Sequence, residues 1–175
     1  VMNAINSQVV ASQVGNHGQA VGTVTAVAQH PSGSGNSLQF ASSRLVFDTT
    51  ALDGTATYTI SWWERPTSLS TYDLRVDWRV GSAYRFISPQ SSSTALGYQG
   101  GSSSFYTTGI TLAANVWRHY AVTCNAGSFV IYQNGAANGT TFTAGTYTLS
   151  TDLTLANAEG QTGYGLTGQM CEFAI

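Results

Sequence analysis

Apolar residues recur at every second position along most of this chain, and no long stretch repeats them at the three- and four-residue spacing of an amphipathic helix. Successive side chains of a strand point to opposite faces, so alternation marks strands with one buried side. The pattern predicts strands over Ala20 to Ala28, Ser37 to Phe40, Arg44 to Phe47, Thr57 to Glu64, Leu74 to Val80, Tyr84 to Ser88 and Ala95 to Tyr98. It continues over Phe105 to Thr107, Arg118 to Cys124, Ser128 to Gln133, Gly139 to Thr143, Leu153 to Ala156 and Gln169 to Ile175. Many short strands separated by turn residues predict an all-β fold, a two-sheet antiparallel β-sandwich. Ile60 with Trp62, Tyr120 with Val122, and Phe129 with Ile131 are the expected core pairs. The most regular run, Asp73 to Val80, sets Leu74, Val76, Trp78 and Val80 on one face. Asp73, Arg75, Asp77 and Arg79 take the other face, where the charges are expected to pair in solvent.

Small polar residues mark loops at Gln29 to Asn36, Pro89 to Thr94, Gln99 to Ser104, Asn134 to Asn138 and Asn157 to Tyr164. Val1 to Gln19 shows no clear period and reads as an N-terminal arm able to pair with a neighbouring copy, which leaves residues 20–175 as the sandwich domain. The length, 175 residues, suits one domain with a substantial core.

Charge narrows the function. Only 8% of residues are charged, and all six basic residues are arginine, with no lysine; an ordinary soluble domain has about 25% charged residues. A net charge of −2 creates no field that would attract nucleic acid or an acidic membrane. The first 43 residues lack Asp, Glu, Lys and Arg, yet they are too polar for a membrane span and lack the basic start and apolar run of a signal peptide. The chain therefore reads as mature, or as a piece of a longer one. A hydroxyl- and amide-rich surface predicts a place outside the cytoplasm or on a virion surface, packed against copies of itself or neighbouring structural proteins.

The most informative stretch is Trp117-Arg118-His119-Tyr120-Ala121-Val122-Thr123, followed by Phe129-Val130-Ile131-Tyr132-Gln133-Asn134-Gly135. It predicts two strands and an Asn-Gly turn. With Ser37 to Phe40, with Tyr58-Thr59-Ile60-Ser61-Trp62-Trp63-Glu64-Arg65-Pro66, and with Gly165 to Phe173, it resembles the laminin G-like and pentraxin-like domains of the concanavalin A-like lectin/glucanase superfamily. The resemblance covers roughly residues 37 to 175 and implies a jelly-roll sandwich. It also implies calcium, held by loop carboxylates and carbonyls, for which Glu159, Asn157 and Asp48 are the first places to look. Calcium takes several carboxylates, but the matching loop has only Glu159, and Cys171 stands where the family often has Asp. No metal or other cofactor is expected. The pentraxin disulfide is not supported either, because Ala121 occupies the position of its cysteine.

Glycosidases of this superfamily cluster carboxylates on one strand, about 5 to 5.5 Å apart for retention. Here Asp73 and Asp77 are separated by roughly 13 Å along a strand, while Glu159 and Glu172 stand alone. Gly33-Ser34-Gly35 lacks the spacing of a nucleophile elbow, and His17, His30 and His119 have no acid nearby in sequence. Cys124 falls on the strand face opposite His119. No catalytic residue is expected. Cys124 and Cys171 permit one disulfide but read more simply as two buried thiols. Asn138-Gly139-Thr140 is a glycosylation sequon that matters only in a eukaryotic secretory host. For sugar binding, Tyr98, Gln99, Phe105 and Tyr106 combine stacking rings with an amide beside a Gly/Ser-rich loop. The expected function is a non-catalytic structural or adhesion module of a virion (phage decoration, fibre or tail protein) or of an extracellular surface assembly. The alternative is a lectin-like carbohydrate-binding module of a longer extracellular protein, with glycans as partners.

Overall fold

The structure, a computed structural model, describes residues 9–10, 18–78, 85–89, 94–100, 105–138, 141–143, 148–157 and 163–175. Among these residues the strands form two antiparallel sheets. Sheet one runs, in spatial order, through β1 (Val9–Val10), β2 (Gly18–Val21), β5 (Arg44–Asp48), β15 (Asp152–Leu155), β7 (Val76–Asp77), β8 (Arg85–Pro89), β9 (Ala95–Gly100) and β10 (Phe105–Thr111). Sheet two runs through β13 (Ala136–Ala137), β12 (Ser128–Gln133), β11 (Arg118–Asn125), β6 (Thr57–Pro66), β16 (Thr167–Ala174), β4 (Ser37–Ala41) and β3 (Val24–Val27), and β14 (Phe142–Thr143) also pairs with β12. Neighbours such as β6, β16 and β4 are far apart in sequence, so the chain crosses between sheets in the manner of a jelly roll.

The sheets enclose one core. Ile60, Trp62, Tyr120, Val122, Phe129 and Ile131 line it from sheet two, and all are buried as the alternation predicts. Across from them Tyr98 stacks on Phe129, with ring centroids 4.5 Å apart, and on Trp78 at 5.8 Å.

Three expectations change. The single strand expected over Ala20 to Ala28 breaks at Gly22, whose φ of 85° suits glycine, and its halves β2 and β3 join different sheets. Gly18 and Gln19, read as part of the arm, form half of β2 and pair with Val10 and Val9 at the edge of sheet one.

The run from Asp73 is regular strand only at Val76–Asp77, and its charges are buried rather than solvated: Asp73, Arg75 and Asp77 are 5%, 0% and 2% exposed. Asp77 is covered because β7 is an inner strand between β15 and β8, and for Asp73 and Arg75 the cause is a bend at Arg75. The Arg75 N–H donates to Ile87 O at 2.8 Å while Val76 is itself the register partner of Ile87. Two residues thus oppose one, as in a β-bulge, which turns the Arg75 side chain inward. Arg79, Val80 and Tyr84 lie outside the described residues.

Both cysteines are free and buried. Cys124 on β11 is the register partner of Tyr58, and Cys171 on β16 is that of Trp63. Tyr58 and Trp63 point to opposite faces of β6, so the thiols lie on opposite sides of the sheet. Burial pushes the Cys171 thiol up to about 12 and raises that of Cys124.

Candidate functional site

Most rings of this protein point inward. Among the described residues the exposed large apolar side chains are Val21, Tyr72, Val116, Tyr164 and Ile175. Two of them meet: the rings of Tyr72 and Tyr164, 44% and 42% exposed, stand 6.0 Å apart at 85°. Tyr72 lies in the loop after β6 and Tyr164 in the loop before β16, at an end where Pro66 pairs with Gly168. Backbone bonds join the loops: Leu74 N–H donates to Tyr164 O at 2.8 Å, and Tyr72 N–H to Pro89 O at 2.7 Å. Gly165 lets the Tyr164 loop also pack on the turn between β4 and β5, because a Cβ there would lie 2.6 Å from Ser42 Cα.

Backbone strain gathers at the same end. Tyr72 has φ 69°, a left-handed conformation that a bulky aromatic residue rarely adopts. Among the described residues, five of the seven non-glycine positions with positive φ fall in loops here: Ser42, Tyr72, Asn115, Asn134 and Ala156. Such geometry persists only where surrounding contacts over-determine it.

Those contacts form a buried polar frame behind the tyrosines. Asp73 Oδ2 accepts from the Ser70 N–H at 2.9 Å and closes the turn that carries Tyr72. Arg75 donates through Nη1 to Asp73 O and stands 3.9 Å from Asp73 Oδ2. Arg75 Nε donates to Glu64 Oε1 at 3.2 Å, and Glu64 Oε2 accepts from Trp62 Nε1 at 2.9 Å. The loop is thereby tied through one guanidinium to the core face of β6. Desolvation raises the Asp73 carboxyl above its usual range, with Arg75 and the Ser70 N–H acting against it. Burial, aided by the Glu64 charge, pushes the Tyr120 phenol up as well. Asn157 Nδ2 donates to Ser42 O at 3.0 Å and pins the adjoining turn.

The residues singled out from the sequence fall elsewhere. Tyr98 is fully buried and offers a ligand no ring face. Tyr106 follows it inward, packing against the core with its ring 6.5 Å from that of Tyr98. Gln99 and Phe105 are register partners on the other face of sheet one, where the Phe105 ring covers Gly97. Strand alternation therefore splits the four residues between two faces.

The calcium candidates are divided too. Leu45 pairs with Leu155 and Asp48 with Asp152, so Asp48 sits at the opposite end of β5 from Asn157, more than about 10 Å away along the strand. Hydrogen bonds from the Thr50 side chain first and its N–H second, the latter at 2.9 Å, hold the Asp48 carboxyl below the usual range, while Asn157 is engaged with Ser42. Glu159 lies outside the described residues, among which no three His, Cys, Asp or Glu side chains gather to hold a metal. Asp48 and Asn157 thus do not share a site.

His30 has an acid partner that spacing did not reveal, Glu172 at 3.0 Å. The His119 ring lies 5.3 Å from that of Trp63. Tyr72 and Tyr164 escaped the sequence reading: each is the lone ring of its stretch, Thr67 to Asp73 and Glu159 to Gly165, but Leu74 and Leu166, two residues further on, fit strand alternation and conceal it.

Two sheets face to face, with long crossovers, define a jelly-roll sandwich, an architecture of lectin and capsid domains. The chain belongs to the concanavalin A-like lectin/glucanases superfamily, whose laminin G model matches residues 32–175. No curated protein sequence matches it. Among solved structures it is similar to domain 4 of a GH43 extracellular arabinanase from Geobacillus stearothermophilus, in complex with arabinotriose, at 19% identity and TM-score 0.67, over 87% of this chain and 74% of that one. It is similar to a heptameric SAP-like pentraxin from Limulus polyphemus at 17% identity and TM-score 0.57, over 74% of this chain and 67% of that one. The binding domain of botulinum neurotoxin DC, in complex with SialylT, is similar at 16% identity and TM-score 0.64, over 88% of this chain and 41% of that one. At these identities the likeness is one of fold.

Proposed function

We propose that this chain is a carbohydrate-binding module that engages sugar at Tyr72 and Tyr164. One observation carries the reading: two exposed rings in contact, one of them, Tyr72, held in a strained turn tied down by a fully buried Arg75. An aromatic face stacks on the apolar face of a sugar, and loops already fixed in place lose little entropy on binding. The arabinotriose and SialylT complexes of the similar domains support a glycan ligand. The reading is of binding without bond cleavage, since the nearby carboxylates Asp73 and Glu64 are buried and engaged with Arg75. The sparse charge of the chain supports a setting outside the cytoplasm, as an appendage of a secreted enzyme or an adhesion module of a virion.

Titration calorimetry against an oligosaccharide panel tests this. Tyr72→Ala and Tyr164→Ala are each expected to weaken binding about tenfold, roughly 1.4 kcal/mol, with the thermal melt little changed. Binding that survives both substitutions unchanged overturns the assignment.

A further inference from the structure

We infer that this site reads a single neutral sugar unit, and neither an acidic glycan nor a run of several units along a polymer. The inference rests on the glycan reading above and adds the class of ligand.

Charge carries the first half. The described segments at this end, residues 67–74, 112–117, 134–138, 156–157 and 163–166, contain no Lys or Arg, and Asp73 is their one acidic residue. Among the described side chains, the arginines on adjoining strands are engaged. Arg65 Nε donates to Asn115 O at 3.3 Å and its Nη1 to Gln169 at 3.2 Å, Arg118 Nη1 donates to Thr111 O at 3.1 Å, and Arg44 also has a partner. Arg75 keeps one nitrogen, Nη2, without a partner among the described residues, but the side chain is 0% exposed. A sugar carboxylate reaching it would have to shed its hydration beside Glu64 and Asp73, at a cost of several kcal/mol. Among the described residues an acidic glycan thus meets no free cation. Neutral hydroxyls meet Ser, Thr, Asn and backbone groups, which donate and accept without regard to charge.

Ring geometry carries the second half. Stacking uses one aromatic face per sugar, and a chain of sugars tracked by stacking needs platforms that share an orientation. Tyr72 and Tyr164 are perpendicular, at 85° with centroids 6.0 Å apart. One ring can lie beneath a sugar while the other presents an edge to its side, so the pair forms an L-shaped seat for one unit. Further units extend into solvent and add little.

The test is calorimetry on the whole chain with neutral arabino-, xylo-, cello- and manno-oligosaccharides from monomer to pentamer, alongside sialyllactose and oligogalacturonides, for the wild type, Tyr72→Ala and Tyr164→Ala. The expected result is binding of a neutral sugar with trimer and pentamer within about twofold of each other, and acidic glycans at least about tenfold weaker. Raising NaCl from about 0.05 to about 0.5 M is expected to change the neutral-sugar Kd by less than about twofold. An acidic glycan that binds more tightly, a steep loss with salt, or a gain with each added unit overturns the inference while leaving the glycan site standing, provided both tyrosine variants lose that binding. Absence of binding to any panel member, or binding indifferent to both tyrosines, overturns the glycan reading and this inference with it.

Discussion

Two adjacent residues of β6, Glu64 and Arg65, anchor polar networks on opposite sides of one sheet. Inside, Glu64 is 1% exposed and pairs with Arg75. Outside, Arg65 donates to Gln29 and Gln169, and Gln169 Nε2 donates in turn to Gln39 Oε1 at 3.0 Å. The inner network is ionic, small and sealed, whereas the outer one is built of amides at the solvent boundary. The same sheet therefore carries a charge pair where desolvation makes it decisive and an amide lattice whose bonds range from exposed to part-buried. Only the inner network holds the strained Tyr72 loop.

The sharpest way to break the contrast is Arg75→Met. Removing one member of a buried ion pair leaves the other charge uncompensated, so a loss of about 3 to 5 kcal/mol in denaturant unfolding is expected. Adding Glu64→Leu should recover a large part of that loss, because no buried carboxylate on β6 then lacks a partner. If Arg75→Met were nearly neutral, the frame would not be what holds the Tyr72 loop.

Trp62→Phe probes the same network from the other side at a smaller scale. It deletes the Nε1–H donated to Glu64 Oε2 and keeps most of the ring, so about 1 to 3 kcal/mol should be lost. The outer counterpart, Arg65→Ala, is expected to cost no more than about 1 kcal/mol by the same measurement. A loss for Arg65→Ala as large as that for Arg75→Met would erase the distinction between the two faces.

This contrast also marks how much could be read from the sequence. Alternation was enough for the sandwich and for core residues such as Ile60, Trp62 and Phe129, because each sits in a long strand whose face does not change. It failed at Gly22, where the apolar pattern runs on while the backbone turns to the other sheet, and at Arg75, where a bulge reverses the face of every charge before it. For the site, Tyr98 was drawn to the surface by its Gly/Ser-rich surroundings, although Leu96, two residues earlier on the same strand face, already places it inside. The contact between Tyr72 and Tyr164 was not legible, since nothing local records that Leu74 bridges Gly165.

The smallest expected effects come from the thiols, and they sharpen the picture of the outer face. Cys171 lies there in line with Gln169, yet is only 4% exposed, so this face is covered and not simply wet. Burial first, and the Glu172 charge second, push its thiol up to about 12 from an ordinary 9.0. The folded state thus favours the neutral thiol. Stability from this group is complete below the unfolded value and is lost as pH rises from about 9 towards about 12, because the unfolded chain gains thiolate that the folded chain refuses. At pH 8 both Cys171 and Cys124 are expected to resist an aromatic disulfide reagent in the native state and to react in denaturant. Cys171→Ser should flatten the alkaline slope with little change near neutral pH. Rapid native labelling of Cys171 would mean that whatever covers it opens readily, and that the outer face is a dynamic surface.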